Sequence, residues 1–115
     1  MSEAKRILII VHDHQTRVDL RLHYEKDGHH VVSAATTANA LNLLEYISSP
    51  DLIIVGGPFP FLSVPDLLTI LKGDKKFGKI PVAVIKGSVS SLGESYLEID
   101  MNDRQRWSDV LKEFV

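Results

Sequence analysis

Apolar residues along this chain follow two alternating rhythms. Residues 7–11, 31–34, 52–55 and 80–85 are short, nearly unbroken apolar runs, and 96–99 is a weaker fifth. β-Branched side chains dominate the first, third and fourth, with no polar residue at every second position. Strands covered by helices on both faces have this composition. Between the runs the spacing changes to three and four. Ala40, Leu41, Leu44 and Ile47 predict a helix over 37–48, with Thr36 or Thr37 as its cap. Leu67, Leu68 and Leu71 predict another over 65–72. There Ser63 and Asp66 form a capping-box pattern, Pro65 suits the first turn and Gly73 the stop. Trp107, Val110, Leu111 and Phe114 stand at i, i+3, i+4 and i+7, giving a last helix capped by Asn102 or Asp103.

One segment reads both ways. Val18, Leu20, Leu22 and Tyr24 alternate strictly, which is a strand signal, and Lys26-Asp27-Gly28 could turn into a hairpin with 31–34. A helix accommodates the same residues if Leu20 and Tyr24 face a sheet while Val18 and Leu22 face a neighbouring helix, the last one. The alternating order of the surrounding elements favours the helix. The sequence then predicts an α/β fold with a doubly wound parallel sheet, whose functional residues gather at the carboxyl ends of the strands. Those ends are His12-Asp13-His14, Gly56-Gly57, Lys86-Gly87 and Ile99-Asp100.

With 115 residues the chain is expected to form one domain spanning 1–115. A net charge of −2 with no dense Lys/Arg cluster argues against nucleic-acid binding. The absence of cysteine excludes disulfides and thiolate zinc sites and fits a cytoplasmic protein. The apolar run at 7–11 is too short for a signal peptide or a membrane span, so no membrane association is expected.

Candidate chemistry is sparse. His12, Asp13 and His14 offer transition-metal ligands, but positions i and i+2 leaving a strand seldom converge on one ion without a third ligand. The preferred reading makes Asp13 a helix cap and leaves the histidines solvated, with no metal and no cofactor. His29 and His30 lack acidic partners nearby and read as strand-edge residues. The apolar loop 58–62, with Phe59, Phe61 and Leu62, is either local packing over the strand ends or a partner-binding surface. Trp107 reads as core, with helix packing preferred over a dimer contact.

The spacing of these features resembles the receiver domain of two-component response regulators. The likeness covers residues 5–85 and resumes at Tyr96. It is carried by 6–28 as first strand and helix, by Pro50 to Val55 as the approach to the phosphoacceptor, and by Pro60, Leu67-Leu68 and Ile80-Pro81-Val82. It implies a flavodoxin-like, five-stranded sheet in the order 2-1-3-4-5. The family's functional residues do not carry over. Gly56 stands at the phosphoacceptor aspartate. The acidic pair that holds Mg²⁺ falls on Val11 and His12, or on His12 and Asp13 with a one-residue shift. Lys86 replaces the switching hydroxyl, and Ile99-Asp100 the lysine before a proline. The segment between the fourth and fifth strands is short, so the fourth helix is expected to be shortened or absent, with a Ser/Gly-rich loop over 88–95 in its place and a bare patch of sheet favouring a partner or self-association.

The resemblance therefore implies a degenerate receiver: a non-enzymatic signalling module that binds a protein partner without phosphorylation, with a homodimer as an alternative. His12, Asp13, Gly56, Lys86 and Ile99 would form its dismantled pocket, with Lys86 pairing with Asp13 or Asp100. A rival reading keeps a small-ligand or metal site at His12, Asp13 and Lys86. An ordinary phosphorelay domain would need Asp51 or Asp66 as acceptor, and neither stands at the end of the strand.

Overall fold

The computed structural model describes residues 4–46, 49–60, 62–88 and 96–113. Five strands, β1 (Arg6–Val11), β2 (His30–Ala34), β3 (Leu52–Gly56), β4 (Val82–Ile85) and β5 (Leu97–Ile99), pair in parallel in the order β2-β1-β3-β4-β5. Helices α1 (His14–Lys26), α2 (Thr37–Tyr46), α3 (Val64–Gly73) and α4 (Arg104–Asp109) connect or follow them, and a 3₁₀ turn, Val110–Lys112, extends α4. The sheet order is the one that the sequence implied.

The period of two within each strand builds two cores. Leu8, Ile10, Ile53, Val55, Val82 and Val84 face α2 and α3, meeting Ala40, Leu44, Leu67 and Leu71. Their neighbours Ile7, Ile9, Leu52, Ile54, Ala83 and Ile99 face the other way, onto Leu20, Tyr24, Trp107, Val110 and Leu111. Both faces of every central strand are thus buried, which is why the runs show no polar alternation.

The ambiguous segment is helical. Leu20 and Tyr24 are its fully buried residues. The expectation that Val18 and Leu22 face the last helix is corrected: Leu22 is 54% exposed and Val18 only half-buried. His23 and Tyr24 make that junction instead. The Tyr24 hydroxyl donates to the Trp107 carbonyl at 2.7 Å. His23 Nε2 lies 3.0 Å from Ser108 Oγ, with its ring edge-on to Trp107 at 5.1 Å. The stripe, read one residue off, points to polar-tipped rings that bridge the helices through their edges.

Helix starts follow the side chains expected to cap them. Asp13, Thr36, Ser63 and Asp103 accept main-chain N–H groups from Thr16, Asn39, Asp66 and Arg106. Gly73 ends α3 as its last helical residue, and Asp74 caps it. Among the described residues no helix lies between β4 and β5. The loop expected over 88–95 lies outside the described residues beyond Ser88, as do Ile47 and Phe114 of the helical stripes. No described helix is long and apolar enough to cross a membrane.

Candidate functional site

The carboxyl ends of β1, β3, β4 and β5 meet at one rim of the sheet. Register sets Val11 beside Gly56 and Ile85 beside Ile99. The ladder continues one step past the strands: the His12 N–H donates to the Gly56 carbonyl at 3.2 Å, and the Lys86 N–H to the Ile99 carbonyl at 2.8 Å. Backbone pairing thus brings His12, Gly56, Lys86 and Ile99 to the same rim, with Asp13 next in the chain after His12.

The floor of the rim is hydrocarbon. Val11, Ile85 and Ile99 are buried in the core shared with α1 and α4. A Cβ built on Gly56 would lie 2.5 Å from Ile85 Cδ1, 3.2 Å from Ile85 Cγ1 and 3.4 Å from Val11 Cγ2. Gly56 does not have a positive φ, so packing alone, and not backbone conformation, favours glycine here. The space that a side chain at the end of β3 would need is already filled by Ile85. The next residue is as tightly placed: a Cβ on Gly57 would meet Val64 Cγ2 at 2.5 Å. The Gly57–Pro58 peptide is cis.

Above this floor the side chains of His12, Asp13, Arg17 and Lys86 each have a partner. The carbonyl of Ala35 can only accept, so His12 Nδ1 donates to it, at 3.1 Å, while the His12 ring stands edge-on to Phe59 at 6.3 Å. Asp13 caps α1, accepting the Thr16 N–H at 2.9 Å and the Thr16 hydroxyl at 2.8 Å. These two bonds hold its exposed carboxyl below the usual aspartate value. Arg17 Nη1 reaches back to the carbonyls of Val11 and His12 at 3.0 and 3.1 Å, and its Nη2 donates to His14 Nδ1 at 3.0 Å. Lys86 Nζ lies 3.9 Å from Asp100 Oδ2. Of the two partners open to Lys86, the structure selects Asp100, because Asp13 is turned onto its own helix.

Two residues at this rim escaped the sequence reading. Arg17 falls where no acidic residue stands in the first turn of α1 to pair with it, and it takes the strand-end carbonyls instead. Ser88 accepts the Gly57 N–H through its hydroxyl at 3.2 Å, joining the ends of β3 and β4. Its position depends on a turn in which the Ser88 N–H donates to the Ile85 carbonyl and Gly87 takes φ 94°. The signal for it was present in Lys86-Gly87-Ser88, a glycine at the turn position that needs positive φ.

The donor set does not fit a magnesium ion. Such an ion needs several convergent oxygens; Val11 and Gly56 offer no side-chain oxygen, and the single Asp13 carboxylate is engaged by Thr16. Nor do His12, Asp13 and His14 converge on a transition metal, since they turn to Ala35, Thr16 and Arg17. Among the described residues no group of three His, Cys, Asp or Glu side chains could hold a metal. In the loop after β3, Phe59 is buried in the core with α2 and α3, and half-buried Leu62 packs against it. Phe61 lies outside the described residues.

No protein-family model and no curated protein matches the sequence. Solved structures do. A chemotaxis response regulator of Vibrio cholerae superposes with a TM-score of 0.81 at 13% identity, over 98% of this chain and 100% of the other. The receiver domain of a sensor histidine kinase from Pseudomonas aeruginosa, with magnesium coordinated in its active site cleft, gives 0.82 at 12%, covering 97% and 98%. A response regulator receiver domain from Clostridium thermocellum gives 0.77 at 23%, covering 94% and 91%. The fold of this chain is that of receiver domains.

Proposed function

We propose that this chain is a degenerate receiver that acts in signal transduction as a phosphorylation-independent, non-enzymatic protein-interaction module in the cytoplasm. One observation carries the reading: the end of β3 is a glycine whose missing side chain is replaced by Ile85 and Val11. An acyl phosphate needs a carboxylate nucleophile, and its charge needs cations close by. Here hydrocarbon occupies the place of the nucleophile, and the carboxylates of Asp13 and Asp100 at this rim are bonded to Thr16 and paired with Lys86. The receiver frame, with both cores closed, supports retention of the scaffold for binding. On this reading the partner surface is the loop after β3, where Pro58 and Pro60 are exposed, Leu62 is half-buried and Phe59 is buried. Phe59 shapes that loop from beneath.

The test is exposure of the purified chain to radiolabelled acetyl phosphate and Mg²⁺, beside a receiver that retains its aspartate. This chain is expected to stay unlabelled while the control takes up label that alkali removes. Alkali-labile label on this chain would overturn the reading.

A further inference from the structure

Because all five strands run in one direction, the connections that enter them collect at the end of the molecule opposite Gly56. The connection from α3 into β4 brings a basic run to that end. Lys72, Lys75, Lys76 and Lys79 fall within eight residues, all exposed, with Asp74 the only carboxylate among them. The chain as a whole is −2, so the rest of it is net acidic.

The loop that displays these lysines is held in one shape. Phe77 is buried in the core beneath it. Asp74 Oδ1 accepts the N–H groups of Lys76 and Phe77 at 2.7 and 3.0 Å, so this carboxylate faces the backbone. The Gly78 N–H donates to the Asp74 carbonyl at 2.8 Å, and the Ile80 N–H to that of Phe77 at 3.0 Å. A Cβ on Gly78 would lie 2.7 Å from the carbonyl oxygens of both Lys72 and Asp74, so the close turn excludes any larger residue. Among the described residues, Lys75 and Lys79 have no ion-pair partner. Burying Phe77 and spending Asp74 on the main chain fixes a cationic display before any ligand arrives, which lowers the ordering cost of binding.

We propose that this rim, centred on Lys75 and Lys79 with Lys72 and Lys76 beside them, docks an acidic segment of a partner protein. The proposal does not depend on the reading of the Gly56 rim. Charge complementarity selects the occupant. A nucleic acid extends well beyond one loop and would meet the net-acidic remainder of the surface, and the loop offers neither arginine nor an exposed aromatic ring for a base. An anionic membrane would find no exposed apolar side chain in it to insert.

The experiment uses the whole chain and three probes: a fluorescein-labelled polyglutamate peptide, a labelled single-stranded oligonucleotide, and phosphatidylserine-containing vesicles. The peptide is expected to bind best, with affinity falling as ionic strength rises through about 0.15 M, where screening acts over about 8 Å. Lys75→Glu/Lys79→Glu should weaken peptide binding by about tenfold or more, and Lys75→Ser/Lys79→Ser by less. Both should leave circular dichroism unchanged, because the side chains are exposed. The control Lys86→Glu/Arg104→Glu, at the opposite end where β4 and β5 finish, should bind like wild type. Equal peptide binding by the Lys75/Lys79 variants, an equal loss in the control, or tighter binding of oligonucleotide or vesicles would overturn the proposal.

Discussion

At the scale of single residues, Gly56 and His23 show opposite uses of burial. A methyl at position 56 presses on the end of the Ile85 side chain, which has room only by moving. Gly56→Ala is therefore expected to cost about 1–3 kcal/mol as overpacking. Gly56→Asp should cost more, because it also sets an unpaired carboxylate against Val11 and Ile85. Urea unfolding checks both values, and a Gly56→Asp chain as stable as wild type would contradict the packing described. His23 is half-buried between α1 and α4. Burial pushes its imidazole below the ordinary value, with Asp27 at 3.9 Å pulling the other way. The unfolded chain then binds the proton more readily than the folded one. Stability from this site is full above about pH 6.5, the unfolded value, and is lost as pH falls below it toward the folded value. Urea midpoints measured from about pH 8 down to about pH 5 should fall for wild type and fall less for His23→Gln.

Among elements, the junction of α1 with α4 includes, beside the half-buried His23–Ser108 contact, one hydrogen bond made in a dry place. Tyr24 is fully buried, its hydroxyl is pushed far above its ordinary pKa by that burial, and it donates to the Trp107 carbonyl. Tyr24→Phe keeps the ring but removes the hydroxyl donor to that carbonyl, and is expected to cost about 1 kcal/mol in urea unfolding. The same junction shows where sequence reading runs out. Strand runs and most helix caps were legible because period and capping chemistry are local. The partner of α1 was not, because strict alternation from Val18 to Tyr24 carries no information about which residue bridges to a helix more than eighty positions away. Gly56 was legible as an absence, through its spacing from Pro50. That Ile85 fills the gap, that Arg17 binds strand-end carbonyls and that Ser88 joins β3 to β4 depended on register, which a single sequence does not display.

For the molecule as a whole, the parallel sheet gives two unlike ends. One is the rim where strands finish, with hydrocarbon beneath and its side-chain charges paired or bonded nearby. The other is the rim where strands begin, with Lys75 and Lys79 exposed on a pinned loop. The binding and labelling experiments address these ends separately, so each can fail without the other. The basic rim was overlooked in the sequence because Lys72, Lys75, Lys76 and Lys79 are interrupted by Gly73, Asp74, Phe77 and Gly78. Only the fold shows that Phe77 turns inward and Asp74 turns onto the backbone.

The methyl groups packed at the end of β3 bear on how such a domain could be governed. A covalent trigger needs a pocket that admits the added group, whereas the gap at Gly56 is stopped by Ile85. If the function proposed above holds, a protein built this way keeps no record of an upstream event. On the reading proposed here, its influence is dosed by how many copies a cell makes and where they are held.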